Sequence, residues 1–253
     1  MSETRDRILA DIRNSLGRGR LDPARDAELR TRVAAHPRNP VPARATVLDE
    51  RRRVDLFVAM AEEVHATVTR VGSPEAVPEA VARYLAAENL PAELVMAPDP
   101  NLALLPWSTW PLLHIRRGRV EAEDRVGLTP CLAAIAETGT LMLVSGPQTP
   151  TTLNFLPETH IVLVRADQVV ATYEDGWDRV RAIEGPPGLP RAVNFITGPS
   201  RTADIEQHIE LGAHGPRRLH IVLIENDEAV EGEEHDQRGT YARGSRALAG
   251  SGS

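Results

Sequence analysis

Four continuous apolar runs mark the second half of the chain. They cover residues 140–144, 161–164, 193–196 and 220–224. Continuous rather than alternating runs are typical of strands that are covered on both faces in a parallel sheet. Further strands are predicted by weaker runs at residues 66–71, 94–97 and 112–115.

Helical periodicity accompanies these runs. Ile8, Ile12 and Leu16 follow helical spacing and predict a short amphipathic helix over residues 4–16. Other helices are predicted over residues 54–65, 73–88, 130–137, 175–184 and 201–211. Strands and helices therefore alternate, which predicts an α/β fold with an open, mostly parallel sheet.

The pattern also divides the chain into three parts. Residues 1–48 contain the first helix and a Pro/Arg-rich linker that either wraps a partner or stays mobile. Residues 49–225 hold the predicted α/β domain. Residues 226–253 are acidic and then rich in Gly and Ser, a composition that predicts a disordered tail.

Charge and composition exclude several classes of function. The formal net charge of the 253 residues is −7, so no general nucleic-acid binding is expected, because that binding needs a basic face. All 29 basic residues are arginine. The lack of lysine excludes Schiff-base catalysis and a P-loop. Any bound anion would depend on arginine side chains, backbone N–H groups or helix ends.

Cys131 is the only cysteine. An iron–sulfur cluster needs about four ligands, mostly thiolates, so none is expected in this chain. Cys131 itself lies beside apolar residues and is expected to be a small buried hydrophobe. The chain has no apolar signal core near Met1 and no stretch of membrane-spanning length, which makes the cytoplasm the expected location.

The first candidate site is the turn around Glu137, which is predicted to end an apolar helix. Gly139 allows a tight turn there. In one interpretation, Glu137 is a solvated carboxylate that stabilises the turn through the hydroxyls of Thr138 and Thr140. In the other, it is presented to a ligand as a base or nucleophile. Spacing alone favours the first.

The second candidate site follows the run at 193–196. The chain turns at Gly198 and is predicted to enter a helix whose first turn is capped by Ser200 and Thr202. Free N–H groups at such a start, together with Arg201, would bind a carboxylate or phosphate. Two acidic residues in the same turn would oppose a polyphosphate, so a small monoanion is the expected ligand.

His214 lies in an irregular loop after this predicted helix. It is either an acid or base or an imidazole that caps helix carbonyls, and the sequence supports both equally. Asp204, His208 and His214 are conceivable metal ligands. An intrahelical pair of Asp204 with His208 is a simpler explanation, so no metal site is expected.

Several of these segments together resemble the lactate-utilization protein C family, which carries the LUD domain. They are residues 136–141, 156–162, 194–207 and 211–220, and residues 7–13 resemble the N-terminal element of the family. The resemblance covers about residues 5–225. It implies a Rossmann-like fold of the NagB/RpiA/CoA-transferase type and a part in the oxidation of L-lactate to pyruvate. It also implies that iron–sulfur clusters lie on partner proteins.

Two functions are compatible with this resemblance. The chain is expected to be a non-redox component of a lactate-oxidising complex, with a small carboxylate as its possible ligand. The alternative is an acyl- or CoA-transferase-like enzyme, because in CoA-transferases a glutamate near a glycine forms an acyl anhydride, and Glu137 resembles it in setting. The expected ligand-binding residues are Thr138, Gly139, Thr140, Gly198, Ser200, Arg201, Thr202 and His214.

Overall fold

The computed structural model describes residues 2–17, 19, 21–38, 40–183, 189–205, 208–212 and 214–225. Its helices are α1 (Ser2–Ser15), α2 (Pro23–Ala35), α3 (Ala43–Thr46), α4 (Glu50–Glu63), α5 (Val77–Ala87), α6 (Pro100–Ala103), α7 (Thr152–Phe155) and α8 (Tyr173–Arg181). Its strands are β1 (Thr67–Val71), β2 (Glu93–Met96), β3 (His114–Arg117), β4 (Val126–Pro130), β5 (Ala133–Ile135), β6 (Thr140–Val144), β7 (Thr159–Arg165), β8 (Val169–Val170), β9 (Val193–Ile196), β10 (Arg201–Ile205), β11 (His208–Leu211) and β12 (Arg218–Ile224).

Six strands form a central sheet in the order β1-β12-β7-β4-β2-β3. Every neighbouring pair in it is parallel. Its longest pairing aligns the whole of β12 with the whole of β7, from Arg218 opposite Thr159 to Ile224 opposite Arg165. The predicted α/β class with an open parallel sheet is therefore confirmed, and the runs at 161–164 and 220–224 belong to its centre.

A second sheet has the order β8-β5-β6-β9. The pairs β5–β6 and β6–β9 are antiparallel, and β5–β8 is parallel. The apolar runs at 140–144 and 193–196 lie in this sheet, so their assignment to the parallel sheet was wrong. The reason for the first run is that β6 is buried on both faces although its neighbours are antiparallel. The second run forms β9, a partly buried edge strand with Phe195 exposed.

Two predicted helices are also wrong. Residues 130–137 contain the end of β4 and all of β5, because the alanines there pack as small side chains of a buried strand. In the second, the described residues 201–205 and 208–211 form the antiparallel pair β10–β11 instead of a helix. A hydrogen bond from the Gly212 N–H to the Ser200 carbonyl, at 2.9 Å, ties the two ends of this hairpin together.

Three apolar clusters hold these layers together. One lies between α5 and one face of the central sheet. The second lies between the opposite face, α4 and the second sheet. The third lies between the second sheet and α8. The second sheet is consequently covered on both sides, and α4 contributes its buried face, Val54, Phe57, Val58 and Ala61, to the second cluster.

The segment predicted to be a linker is partly helical. It contains α2 and α3, and Ala45 of α3 is fully buried in the cluster around α4. Arg38 forms ion pairs with Asp175 and Asp178 of α8. Residues 18–48 therefore contact the α/β part of this chain itself. The predicted tail, residues 226–253, lies outside the described residues.

Candidate functional site

Glu137 lies in the turn between β5 and β6, so its predicted position at the end of a helix was wrong. Its side chain is half-buried and points to the start of α8, where the Tyr173 N–H donates to Glu137 Oε1 at 3.4 Å. The Glu137 N–H donates to the Ala171 carbonyl at 3.3 Å. A carboxylate beside a helix N-terminus is favoured by the helix dipole. These contacts attach the turn to α8.

Four hydroxyl groups meet beside this turn, and we call Thr138, Thr140, Tyr173 and Thr197 the hydroxyl cluster. The Oγ1 atom of Thr140 lies 2.8 Å from Thr138 Oγ1, 3.0 Å from Tyr173 Oη and 2.7 Å from Thr197 Oγ1. Thr140 is fully buried, whereas Thr197 is exposed. The cluster therefore extends from the core to the surface, and Thr140 bonds to all three partners.

Two predicted glycines pack against the C-terminal part of α4. Gly139 has φ +63°, and a Cβ atom there would lie 2.3 Å from the backbone nitrogen of Ala61. Gly198 has φ +79°, and its Cβ would lie 2.3 Å from the carbonyl oxygen of Val64. Both positions need a left-handed backbone and space that only glycine leaves. The predicted tight turn at Gly139 is confirmed, and its purpose is close packing on α4.

The predicted anion site at a helix start does not form, because Ser200 and Thr202 precede and begin a strand. The backbone of Ser200 is fully engaged: its N–H donates to the Pro216 carbonyl at 2.8 Å, and its carbonyl accepts from Gly212. Thr202 is paired with Glu210 across the hairpin. Ser200 and Thr202 therefore do not present the free N–H groups of a helix start to an anion.

Arg201 and His214 remain near the same place. The Arg201 Nη2 atom donates to the Val64 carbonyl at the end of α4, at 3.2 Å, which is the usual favourable position for a cation. The His214 N–H donates to Ser200 Oγ at 3.4 Å, and His214 is exposed. His214 follows a turn after a strand, so its predicted role as a cap of helix carbonyls is wrong.

The structure thus brings the two predicted segments together around the end of α4. Gly139, Gly198 and Arg201 each contact the stretch from Met60 to Val64, and the Thr140–Thr197 hydrogen bond links the segments directly. These contacts fix turns and pack strands. Whether the predicted residues also bind a ligand stays a prediction.

Sequence reasoning did not include Tyr173 and Thr197 among the site residues. Thr197 lies in the second candidate segment, directly before Gly198, and this position is a signal that could have identified it. Tyr173 is separated from Thr140 by 33 residues and has no local signal that connects the two. Only the packing of α8 against β5 and β6 brings its hydroxyl to the cluster.

Burial keeps two titratable side chains, Cys131 and His160, uncharged at pH 7. Burial raises the pKa of the Cys131 thiol to about 12, and its Sγ donates to the Ala133 carbonyl at 2.8 Å. Burial lowers the pKa of His160 to about 3, and its Nε2 lies 2.7 Å from Thr129 Oγ1. Cys131 is therefore a protonated, buried side chain, as its sequence context predicts, and His160 is neutral at pH 7.

Asp204 and His208 do not share a helical face, because they lie in β10 and β11. Over the ranges for which the structure gives positions, no three His, Cys, Asp or Glu side chains are grouped as metal ligands. Over the same ranges, none of the helices is both long and apolar enough to cross a membrane.

The fold and the site define an α/β protein with a Rossmann-like parallel sheet, a second mixed sheet, and glycine-dependent turns around a central helix. Residues 54–224 match the LUD domain. A protein of Deinococcus radiodurans named Lactate utilization protein C is 34% identical over 207 residues, which cover 77% of this chain and 88% of the relative. A protein of the same name from Shouchella clausii is 26% identical over 89% of this chain and all of the relative.

A solved structure agrees with this relationship. The crystal structure of a DUF162 family protein from Deinococcus radiodurans superposes with a TM-score of 0.55 and 27% sequence identity, covering 70% of this chain and 99% of that protein. The chain belongs to the LUD domain family.

Proposed function

We propose that this protein is a non-redox component of a bacterial L-lactate utilization system that oxidises L-lactate to pyruvate in the cytoplasm. The observation that carries the proposal is the 34% identity to a lactate utilization protein C across 77% of the chain. In this proposal the electron carriers are iron–sulfur clusters on partner proteins, and the chain contributes binding of a partner or of a small carboxylate.

The thiol chemistry of the chain supports this division of labour. A cluster needs about four ligands, mostly thiolates, and the chain has one cysteine. That cysteine is 5% exposed and has a pKa raised to about 12 by burial, so its thiolate is not available as a ligand. Electrons from lactate would therefore pass through other subunits.

The N-terminal helix offers a contact surface for such a partner. Ile8, Ile12 and Leu16 are exposed, at helical spacing, in and just after α1. An exposed apolar stripe of this kind is the pattern with which an amphipathic helix lies in a partner's groove. Along the chain, this stripe precedes Ala45, the residue through which the segment 18–48 packs on the core.

The test is reconstitution. The chain is co-expressed with iron–sulfur proteins of a lactate utilization system, and lactate-dependent dye reduction is measured with and without the chain. We expect co-purification and a rate that depends on the chain, whereas Ile8→Asp/Ile12→Asp weakens co-purification and the matched change Arg5→Asp/Arg13→Asp on the same helix weakens it less. Full-rate lactate oxidation by the iron–sulfur proteins alone would contradict the proposal.

The alternative, an acyl- or CoA-transferase that uses Glu137 as its nucleophile, has less support. The Glu137 carboxylate accepts from the Tyr173 N–H at the start of α8, a contact that stabilises the turn whether or not a ligand binds. The enzyme hypothesis predicts mass labelling of Glu137 by CoA esters and loss of activity in Glu137→Gln at unchanged thermal stability. A structural role predicts no labelling and a lower melting temperature.

A further inference from the structure

Two clefts adjoin at the carboxyl edge of the central sheet. The first has a volume of about 510 Å³ and is lined by Arg119, Ser145, Gly146, Pro147, Thr149, Pro150, Thr151, Thr152 and Arg191. The second has a volume of about 190 Å³, and its polar lining residues include Asp99, Asn101, Arg165 and Gln168. Thr149 lines both clefts, so they lie side by side, and we call the two clefts together the Arg119–Arg191 groove.

The position of this groove in the fold is the usual one for ligands. The connection from β2 leads to β3 on one side, and the connection from β4 leads to β7 on the other side. The adjacent strands β2 and β4 therefore flank the topological switch point of the sheet. The second cleft is lined by residues that follow both strands, Asp99 after β2 and Cys131 after β4. Open α/β sheets bind ligands at such points, outside the carboxyl ends of the strands.

The backbone around the first cleft is held in place before any ligand binds. The carbonyl of Arg119 accepts from Arg116 Nη1 at 2.9 Å, just beyond the end of β3. Next to Arg191, the Ala192 N–H donates to Ser145 Oγ at 2.8 Å. Thr149 Oγ1 donates to the Val144 carbonyl at 2.7 Å. A site fixed in this way loses little entropy when it binds a ligand.

The charge of the first cleft selects anions. Its lining contains two guanidinium groups and four hydroxyl-bearing side chains, and none of the described residues that line it is acidic. Neither Arg119 nor Arg191 forms an ion pair with a carboxylate among the described residues. Arginine forks match the oxygens of carboxylates and phosphates.

The second cleft has a different polarity. Asp99 Oδ1 already accepts from the N–H groups of Asn101 and Leu102, at 2.9 and 3.2 Å. Arg165 also lines this cleft, but its guanidinium is paired with Asp167, which offsets its charge. The Asp99 carboxylate repels an anionic group and accepts hydroxyl or amine hydrogens instead. The groove therefore has an anion-binding end and a neutral polar end.

We propose that the Arg119–Arg191 groove binds an organic oxyanion larger than lactate, with the carboxylate or phosphate group held by Arg119 and Arg191. The larger cleft alone falls within the roughly 300–1,000 Å³ of small-molecule sites, far more than a three-carbon acid fills. The neutral part of the ligand extends past Thr149 towards Asp99. This site is separate from the residues around Glu137 and does not depend on the proposed function.

The test is calorimetric titration of the full chain at low salt with AMP as the phosphate probe and 2-oxoglutarate as the carboxylate probe. We expect saturable binding of at least one probe, and which one binds identifies the oxyanion. The double variant Arg119→Ala/Arg191→Ala is expected to weaken binding by about tenfold or more, because each lost charge-assisted contact is worth at least about 1.5 kcal/mol. Single variants to Gln give a second measurement if the double variant is unstable.

Arg117→Ala is the matched control. Arg117 is exposed, lies two residues before Arg119 at the end of β3 and does not line either cleft. The Arg117→Ala change removes one arginine charge from the same edge of the central sheet. It is expected to change the affinity for the probe by less than about twofold. The proposal is overturned if neither probe binds saturably, if lactate binds while both larger probes do not, or if Arg117→Ala weakens binding as much as the double variant.

Discussion

The imidazole ring of His220 lies flat against the phenol ring of Tyr84, with ring centroids 3.7 Å apart and planes inclined by 8°. His220 Nδ1 is 2.8 Å from Thr67 Oγ1, so the histidine joins β12 to β1 and α5. Burial lowers the pKa of His220 to about 4, and burial is the main reason why the pKa of Tyr84 is raised to about 12. Both rings are therefore uncharged at pH 7.

This pair, together with buried His160, predicts a loss of stability in mild acid. The folded pKa values of His220 and His160 are about 4 and about 3, below the value of 6.5 expected without burial. Stability is therefore complete above about pH 6.5 and falls as the pH drops, because only the unfolded chain binds the protons readily. Between pH 7 and pH 5 we expect a loss of about 2 kcal/mol for each histidine, measured by urea unfolding.

Substitutions separate the two histidines from other groups. His220→Phe keeps an aromatic ring against Tyr84 and removes the titration, so it is expected to reduce the loss between pH 7 and pH 5 by about half. The exposed His114→Phe serves as the control and is expected to keep the full loss. An unchanged pH dependence in His220→Phe would show that other groups cause it.

Gly139→Ala is expected to destabilise the fold by about 3 kcal/mol or more, because its Cβ atom would overlap the backbone of α4. Gly17→Ala is a matched control, since Gly17 has φ +60° against +63° for Gly139, and nothing lies within 4 Å of its Cβ position. The control carries the same backbone strain without the overlap and should cost about 1–2 kcal/mol. Equal costs in chemical denaturation would contradict the role of close packing on α4.

Thr140→Val is expected to cost about 1–3 kcal/mol, because it removes the buried hydroxyl that bonds to three partners while keeping the side-chain shape. A double-mutant cycle with Tyr173→Phe measures the hydrogen bond between them, and a coupling of at least about 0.5 kcal/mol is expected. Thr46→Val, at an exposed hydroxyl, should stay within about 0.5 kcal/mol of the native protein. Additive effects of the first two changes would mean that the 3.0 Å contact contributes nothing.

Ala45→Asp is expected to detach α3 from the core. Ala45 is fully buried beside α4, and an unpaired carboxylate there costs several kcal/mol, more than the short helix gains by packing. Hydrogen–deuterium exchange of the backbone amides of residues 43–48, followed by mass spectrometry, should become faster by about tenfold or more. The same change at exposed Ala27 should leave that rate unchanged. Equal rates in the two variants would show that the packing of α3 is not needed to protect this segment.

Much of the fold follows from local pattern. The apolar runs at 161–164 and 220–224, the helical spacing near 54–65 and the Ile8-Ile12-Leu16 stripe each predict the element that is observed. Local pattern fails at 130–137, where alanines suit a helix but are buried in β5. It fails again at 201–211, where the spacing of apolar residues in a short segment fits a hairpin as well as a helix.

For the candidate site, the sequence by itself determined the segments and the tight turn at Gly139. It determined neither the partner of Glu137 nor the contacts of Arg201, because these lie on α8 and α4, distant along the chain. A continuous apolar run reports only that a strand is covered on both faces. Whether helices or a second sheet cover it, and whether its neighbours run parallel, is decided by packing between distant elements. Tertiary structure alone therefore placed β6 and β9 in a separate sheet and brought the two predicted site segments together at one packed junction around α4.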